Sequence, residues 1–318
     1  GEPTPEDRRK PCARACAKTL PDAARWRLPR TLPEMPARAR VVVSTYNQVD
    51  ALRLALRGYL RQTTRDFALS IADDGSNDGT AECLRELSDE LEARGIDLQH
   101  VWHQDDGFRK AAIANEAVRR SRGEPLLVFT DGDCIPPARF VERHLAAHEA
   151  WSFHVAGPYR LSQGVSASIT AEDVDTGRFE KLGDASHARA QRRLRRKSFW
   201  GTLRRRRRRP KVLGLNFAMD RALFTALNGF DERFRSYAVE DTDLGDRAMR
   251  LRPRPRVKNL HGRNDVFHLW HPAIPGGRAA SLALYRRTDH PPRCALGLDR
   301  TGHTDRPAGD RGPAREAS

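Results

Sequence analysis

The sequence predicts an α/β fold: a mostly parallel sheet with helices on both faces. Three observations predict it. Four short runs rich in β-branched and aliphatic residues alternate with segments of helical periodicity. Apart from DLQHVWHQ, those runs are mainly continuous in apolar residues rather than alternating, the pattern of strands covered on both faces. Each run also ends in acids, amides or hydroxyls, at 44–47, 73–78, 103–106 and 131–133. Ligands of open parallel sheets bind at the carboxyl ends of the strands, so four such endings on one edge mark a site.

The elements follow in order. Residues 1–38, rich in Pro, Arg and Ala, predict an extended arm. RVVVSTYN (40–47) is the first strand, and VDALRLALRGYLRQT (49–63) a helix with Leu52, Leu56 and Leu60 at i, i+4 and i+8. FALSIADD (67–74) is the second strand. SNDGTAECLREL (76–87) opens a helix with Asn77 or Asp78 as N-cap. DLQHVWHQ (97–104) is a third strand, RKAAIANEAVRRS (109–121) a helix and LLVFTDGD (126–133) a fourth strand. Residues 155–210 lack a clear period. VLGLNFAMDRALFTALNGFDERF (212–234) predicts a short strand and a helix closed by Asn228-Gly229. SYAVEDTDLGDRAMRL (236–251) predicts a helix with acids in its first turn. NDVFHLWHP (264–272) gives a last strand with a His pair, and the Pro, Gly and Arg beyond Gly276 predict a tail, with a helical turn open at SLALYRR (281–287).

Composition narrows the partners. The chain has 318 residues, 57 Lys and Arg against 42 Asp and Glu, a formal charge of +15 and a pI near 10.3. Such a balance suits polyanions: nucleic acid, anionic lipid headgroups or phosphorylated glycans. The segment 192–211 concentrates it, with Phe199, Trp200 and Leu203 interleaved and no acid. The five cysteines, Cys12, Cys16, Cys83, Cys134 and Cys294, are odd in number and scattered, which points to a reducing compartment. No apolar run approaches the ~18 residues of a membrane span, and no leader pattern is visible, so the expected location is cytoplasmic.

The strand ends carry the chemistry. Neither G-x-G-x-x-G nor G-x-x-x-x-G-K-[ST] occurs, so a bound diphosphate would be held by a divalent cation on hard oxygen ligands. Asp131-Gly132-Asp133 suits that use. In an extended segment residues i and i+2 point the same way. Gly132 would remove a side chain where a ligand approaches. Asp133 would then hold the cation, and Asp131 would address its waters or a sugar hydroxyl. A plain turn favouring Asp and Gly is the simpler alternative. Cys134, beside the pair, reads as a small buried filler.

STYN, DDGSNDGT, DDGFRKAAIANEAV, FTDGDC, GFDERF, EDTDL and HLWHP, in that order over residues 40–272, resemble the motifs of the family 2 inverting glycosyltransferases. The likeness is to bacterial enzymes of lipopolysaccharide-type glycans, with a galactosyltransferase-like C-terminal half. It implies a GT-A fold and one catalytic domain at 39–274. A nucleotide-binding half at 39–150 would be followed by an acceptor-side half at 151–274 holding the basic insert 192–211, with 275–318 a tail. It implies that Ser44, Tyr46, Asp73, Asp74 and Arg109 line the nucleotide pocket, with Asp131 near the ribose and donor sugar and Asn216 under that sugar. Asp133 and His268 would bind Mn2+ or Mg2+, with His271 nearby. Asp241 would be the general base beside Glu240, its pKa raised by Glu240 and Asp243. The stretch SYAVEDTDL departs from the family's Gly- and Trp-rich approach to Glu-Asp: Tyr237 stands for the aromatic and Val239 for a glycine.

The resulting expectation is metal-dependent inverting transfer of a sugar from a nucleotide-sugar, UDP-linked by the family's habit, to a hydroxyl of a glycan or glycolipid. The enzyme would sit at the inner face of the cell membrane through 192–211, with no nucleic-acid partner. The competing expectation is a basic nucleic-acid or anionic-glycolipid binding module without catalysis. Trp102, Phe108 and Trp270 are expected in packing rather than as sugar platforms.

Overall fold

The computed structural model describes residues 39–182, 189, 192, 193, 196, 212–272, 278–287 and 289–299. The arm 1–38, with Cys12 and Cys16, lies outside the described residues. So do most of the basic segment, including Phe199, Trp200 and Leu203, and everything from residue 300. The strands are β1 Ala39–Thr45, β2 Phe67–Asp73, β3 Leu98–Trp102, β4 Leu126–Asp131, β5 Cys134–Ile135, β6 Ser152–Val155, β7 Pro158–Arg160, β8 Asn216–Asp220, β9 Arg256–Asn259 and β10 Val266–His268. The helices are α1 Val49–Leu60, α2 Thr80–Ala93, α3 Lys110–Arg119, α4 Phe140–Ala147, α5 Gln163–Ser168, α6 Ala171–Thr176, α7 Arg221–Ala226, α8 Glu240–Ala248 and α9 Arg278–Arg287.

Among the described residues the main sheet runs β3-β2-β1-β4-β8-β6-β9. β3, β2, β1 and β4 are parallel, while β8 runs antiparallel between β4 and β6. The α/β class with a mostly parallel sheet, GT-A in type, is therefore the one expected. β2 is buried along its whole length and β1 nearly so, because helices cover both faces. Leu52, Leu56, Leu87 and Leu91 pack one face, and Ile113, Ala117, Phe224 and Leu244 the other. On that second face Phe129 stacks on Phe217 with ring centroids 4.8 Å apart. Arg40 sits within the apolar run of β1 because its guanidinium is fully engaged: it meets Glu124 at 2.6 Å and the Leu69 carbonyl at 3.1 Å.

A small second sheet, β5-β10-β7, sits at the carboxyl edge of the main one. Ile135, Phe179 and Phe267 form its own apolar cluster. Register fixes what meets what. Ser44 lies opposite Asp131, Thr45 opposite Asp73, and His268 opposite Cys134.

Some expectations are corrected. α2 is capped by Gly79, at φ 91°, not by Asn77 or Asp78. Asp78, one residue earlier, accepts from the Val49 N–H at 2.8 Å, so it caps the preceding helix, and also from the Thr80 N–H at 3.3 Å and Thr80 Oγ1 at 2.6 Å at the start of α2. Residues 278–299 are not a free tail. Ser281, His290 and Cys294 are buried, and His290 Nδ1 meets Asp243 at 2.7 Å. α4, β6, β7 and β9 escaped the sequence pattern because they are short and mix polar with apolar residues: β6 reads SFHV and β9 RVKN.

Candidate active site

The end of β2 builds the first part of the site. Asp73 accepts from the Ser76 N–H at 2.8 Å and lies 2.9 Å from His100 Nε2. Burial works against its charge, but those hydrogen bonds prevail and hold its pKa below the usual value. It therefore serves the turn. Asp74 accepts from the Arg109 N–H at 2.8 Å and pairs with His103 Nε2 at 2.6 Å. Here burial prevails and raises the pKa. Gly75, at φ 99°, allows this turn: a Cβ there would fall 2.6 Å from the Asp105 backbone. Tyr46, exposed beyond β1, donates to Asp105 at 2.9 Å, and Ser44 lies partly buried at the strand's end. The Arg109 guanidinium donates to the Gln104 carbonyl at 2.7 Å, and its buried Nε has no partner. Ser44, Tyr46, Asp73, Asp74 and Arg109 thus share one edge.

Asp131 closes β4, and the chain turns at Gly132 and Asp133 before β5. The pair is therefore not extended, and its carboxylates take different partners. The glycine has another cause too. Its N–H donates to the Ser44 carbonyl at 2.7 Å, and a Cβ on it would meet Thr45 Oγ1 at 3.1 Å. Gly132 admits the neighbouring strand, not a ligand. Asp133 faces the small sheet, 3.6 Å from His268 Nε2 and 3.4 Å from His271 Nε2. Burial, then repulsion from Asp131, raises the Asp133 pKa, while burial lowers that of His268. Donor atoms of Asp133, Cys134 and His268 lie within 4.8 Å of one another and all three residues are buried. A buried acid beside two imidazoles is a fitting donor set for a divalent cation.

The second cluster lies on the other side of Asp131. Lys110 Nζ reaches Asp131 at 2.5 Å. Burial disfavours the ammonium, yet Asp131 and Glu240 prevail and raise its pKa. Glu240 and Asp241 open α8. Burial pushes Glu240 up to about 7, and its Oε2 has no hydrogen-bond partner. Asp241 accepts from the Gly214 N–H at 2.6 Å and the Thr242 N–H at 2.6 Å; burial raises its pKa as well. A Cβ on Gly214 would lie 3.4 Å from Asp241 Oδ2 and 3.6 Å from Lys110 Nζ, so the glycine marks where the two approach.

Two expected placements fail here. Asn216 is fully buried and donates to the carbonyls of Gly157 at 3.0 Å and Asn264 at 2.8 Å, so it braces β8 and cannot lie under a sugar. Asp243 turns away from Asp241, to Arg247 at 2.7 Å and His290 at 2.7 Å, leaving Glu240 as the nearby acid. Trp102 and Trp270 are exposed rather than packed, while Phe108 meets Tyr237 edge-on. Lys110 was missed in the sequence, and His103, though within the strand end 103–106, had no role of its own there. Their signals were slight: a second cation after Arg109, and a polar residue just past an edge strand.

A model of "Glycosyl transferase family 2" matches residues 40–219. The chain belongs to glycosyl transferase family 2. A model named "N-terminal domain of galactosyltransferase" matches residues 195–271, which include His268, His271, Glu240 and Asp241. Validoxylamine A glucosyltransferase of Streptomyces hygroscopicus subsp. jinggangensis is 28% identical over 232 residues, 65% of this family 2 chain and 50% of the relative. Glycosyltransferase AglE of Haloferax volcanii is 29% identical over 105 residues, 32% of this chain and 33% of its own. The chain thus spans half the length of the first relative and a third of the second. Among solved structures, the mannosyltransferase PcManGT from Pyrobaculum calidifontis, in complex with GDP-Man and Mn2+, is 19% identical. It covers 80% of this chain and 66% of its own, with a TM-score of 0.48. No helix among the described residues is long and apolar enough to cross a membrane.

Proposed function

We propose that this family 2 chain transfers a sugar, with inversion, from a nucleotide-sugar to a hydroxyl of a glycan or glycolipid. One observation carries the proposal. The Asp133–His268–His271 cluster and the Glu240–Asp241 pair flank Asp131 and Lys110 on a single strand edge. A group that can hold a diphosphate's cation and a group that can take a proton thus both lie within charge–charge reach of the Asp131–Lys110 pair.

The roles follow from the local chemistry. Asp74, oriented by the Arg109 N–H and His103, accepts from a nucleobase N–H, and the imide of uracil offers one. UDP is therefore the proposed nucleotide, with Ser44 and Tyr46 beside it and Asp73 holding the loop. Asp133 and His268, joined by His271, hold Mn2+ or Mg2+. When bound, that cation neutralises charge on the departing diphosphate. Arg109, just before the amino end of α3, adds a fixed positive charge. Lys110 holds Asp131 oriented toward the sugar. Asp241 takes the proton from the acceptor hydroxyl, its carboxylate plane held by Gly214 and Thr242. Its raised pKa makes it a better base than an ordinary Asp. Glu240, with a free oxygen, hydrogen-bonds the acceptor.

Calorimetry with UDP, with and without Mn2+, tests this. The expected result is binding that needs the metal and is lost in Asp133→Ala. Salt-sensitive RNA binding with indifference to UDP would favour the non-catalytic module instead. The acceptor is proposed to be a bacterial glycan of lipopolysaccharide type, approached at an anionic membrane through 192–211. Sedimentation with anionic vesicles, weakening as salt rises, would support that placement.

A further inference from the structure

We propose that the Cys134 thiolate is a further ligand of this cation, so that the site holds thiophilic ions such as Co2+, Zn2+ and Cd2+ in preference to Mg2+. The inference rests on the metal reading of Asp133 and deepens it.

Three observations converge. The first is register. Cys134 and His268 are directly opposite in the antiparallel pair of β5 and β10, and opposed residues project from the same face. The ladder itself therefore brings a sulfur and an imidazole together beside Asp133. The second is spacing. Cys134 Sγ lies 3.4 Å from Asp133 Oδ1, while His268 and His271 lie 3.6 and 3.4 Å from Oδ2. Donor atoms of Asp133, Cys134 and His268 all lie within 4.8 Å of one another, near enough for one ion with bonds of about 2.0–2.3 Å to draw them together. The third is orientation. Cys134 packs fully buried in the main apolar cluster, yet its sulfur lies against the Asp133 carboxylate; burial and the neighbouring acids hold the thiol well above its usual pKa, so a bound cation is what would displace its proton. Without metal the S–H donates to Asp133; on binding, the ion takes the place of that proton. An oxygen, two imidazole nitrogens and a sulfur form a borderline-to-soft donor set, which Mg2+ fits poorly.

Cobalt titration of the full chain in a Cys12→Ser, Cys16→Ser background tests it, since that background removes the other close cysteine pair. The expected result is a saturable near-ultraviolet sulfur-to-cobalt charge-transfer band. It should vanish in Cys134→Ser, be erased by Zn2+ and survive excess Mg2+. Zn2+ affinity should fall about 10- to 100-fold in Cys134→Ser, a loss of the size that disturbing a metal's surroundings produces, while Mg2+ affinity stays within about threefold. Cys134→Ala, checked for an unchanged melting temperature, repeats the test without placing a hydroxyl in the buried strand. Cobalt bound without a sulfur band, or Zn2+ affinity unchanged in both variants, would overturn the inference and leave the Asp133 site standing. No cobalt bound at all would overturn the metal reading itself.

Discussion

Asp241 and Glu240 are adjacent acids on one helix, yet they differ in what their oxygens meet. Asp241 spends both on backbone donors, whereas Glu240 keeps Oε2 unpaired and is pushed up to about 7. If Asp241 is the base, Asp241→Asn removes the proton acceptor and sets an amide NH2 against one of the two backbone donors, a cost confined to the Gly214–Thr242 side of the site. Transfer should drop about 100- to 10,000-fold, the usual worth of a positioned general base. UDP affinity, read by calorimetry, should stay within about threefold. Equal loss of both would make Asp241 a positioning residue and leave Glu240 as the base. At this scale the sequence showed residues whose type is tied to the motif: Asp73, Asp74, Asp131, Asp133 and His268 all reach the strand edge. Asn216 misled because a buried amide that braces two carbonyls has the same one-letter code as one that binds a sugar. Lys110 was hidden because nothing in spacing tells which of two consecutive cations turns inward.

The loop before α8 is the element that holds these acids in place, and it is strained. Ala238 and Val239 are both left-handed, at φ 76° and 75°, where a Cβ crowds the following carbonyl. A glycine is expected at such positions, and the sequence comparison with the family's motif already marks Val239 as standing where a glycine would. The strain is held from behind: Ser281 of α9 hydrogen-bonds Ser236, and His290 and Arg247 clasp Asp243. Ala238→Gly should relieve roughly 1 kcal/mol, net of the entropy glycine adds to the unfolded chain. For a chain of this size that is a rise of about 2 °C in melting temperature by calorimetry. A fall would mean that the Ala238 methyl packs more tightly than its backbone is strained. Elements were legible to the degree that burial was uniform. β1, β2 and β4 are buried along almost their whole length and mainly aliphatic, and the leucines of α1 recur at one face. β9, a polar edge strand, and α9, a basic helix that docks through serine and tyrosine, carry no such period.

Across the whole molecule, buried groups far apart in the fold oppose each other in their response to pH. His144 and His154 stack in parallel beneath β8, 5.6 Å apart, with Nδ1 atoms 3.3 Å from one another. Burial, with mutual repulsion for His154, lowers them to about 4 and about 2. An unfolded histidine takes a proton near 6.5. Between pH 6.5 and 4 the unfolded chain therefore binds protons that the folded chain refuses, and this pair's stability is lost as pH falls. Glu240 acts in reverse. Its folded value near 7 exceeds its unfolded value of 4.5, so the stability it lends below pH 4.5 is lost as pH rises toward 7. The two trends partly cancel in the native chain, so its overall pH profile cannot separate them, but single variants can. His154→Phe should be less stable than the native chain at pH 7.5, because Ser152 and His144 lose a partner. That deficit should shrink by up to about 1.4 kcal/mol per pH unit below 6.5, one proton's worth of linkage. Glu240→Gln should instead gain on the native chain as pH climbs from 5 to 7.5. Chemical denaturation at four or five pH values reads both slopes. Parallel profiles for either variant would mean that its group titrates in the folded chain as it does in water, and that the burial assigned to it does not govern its charge.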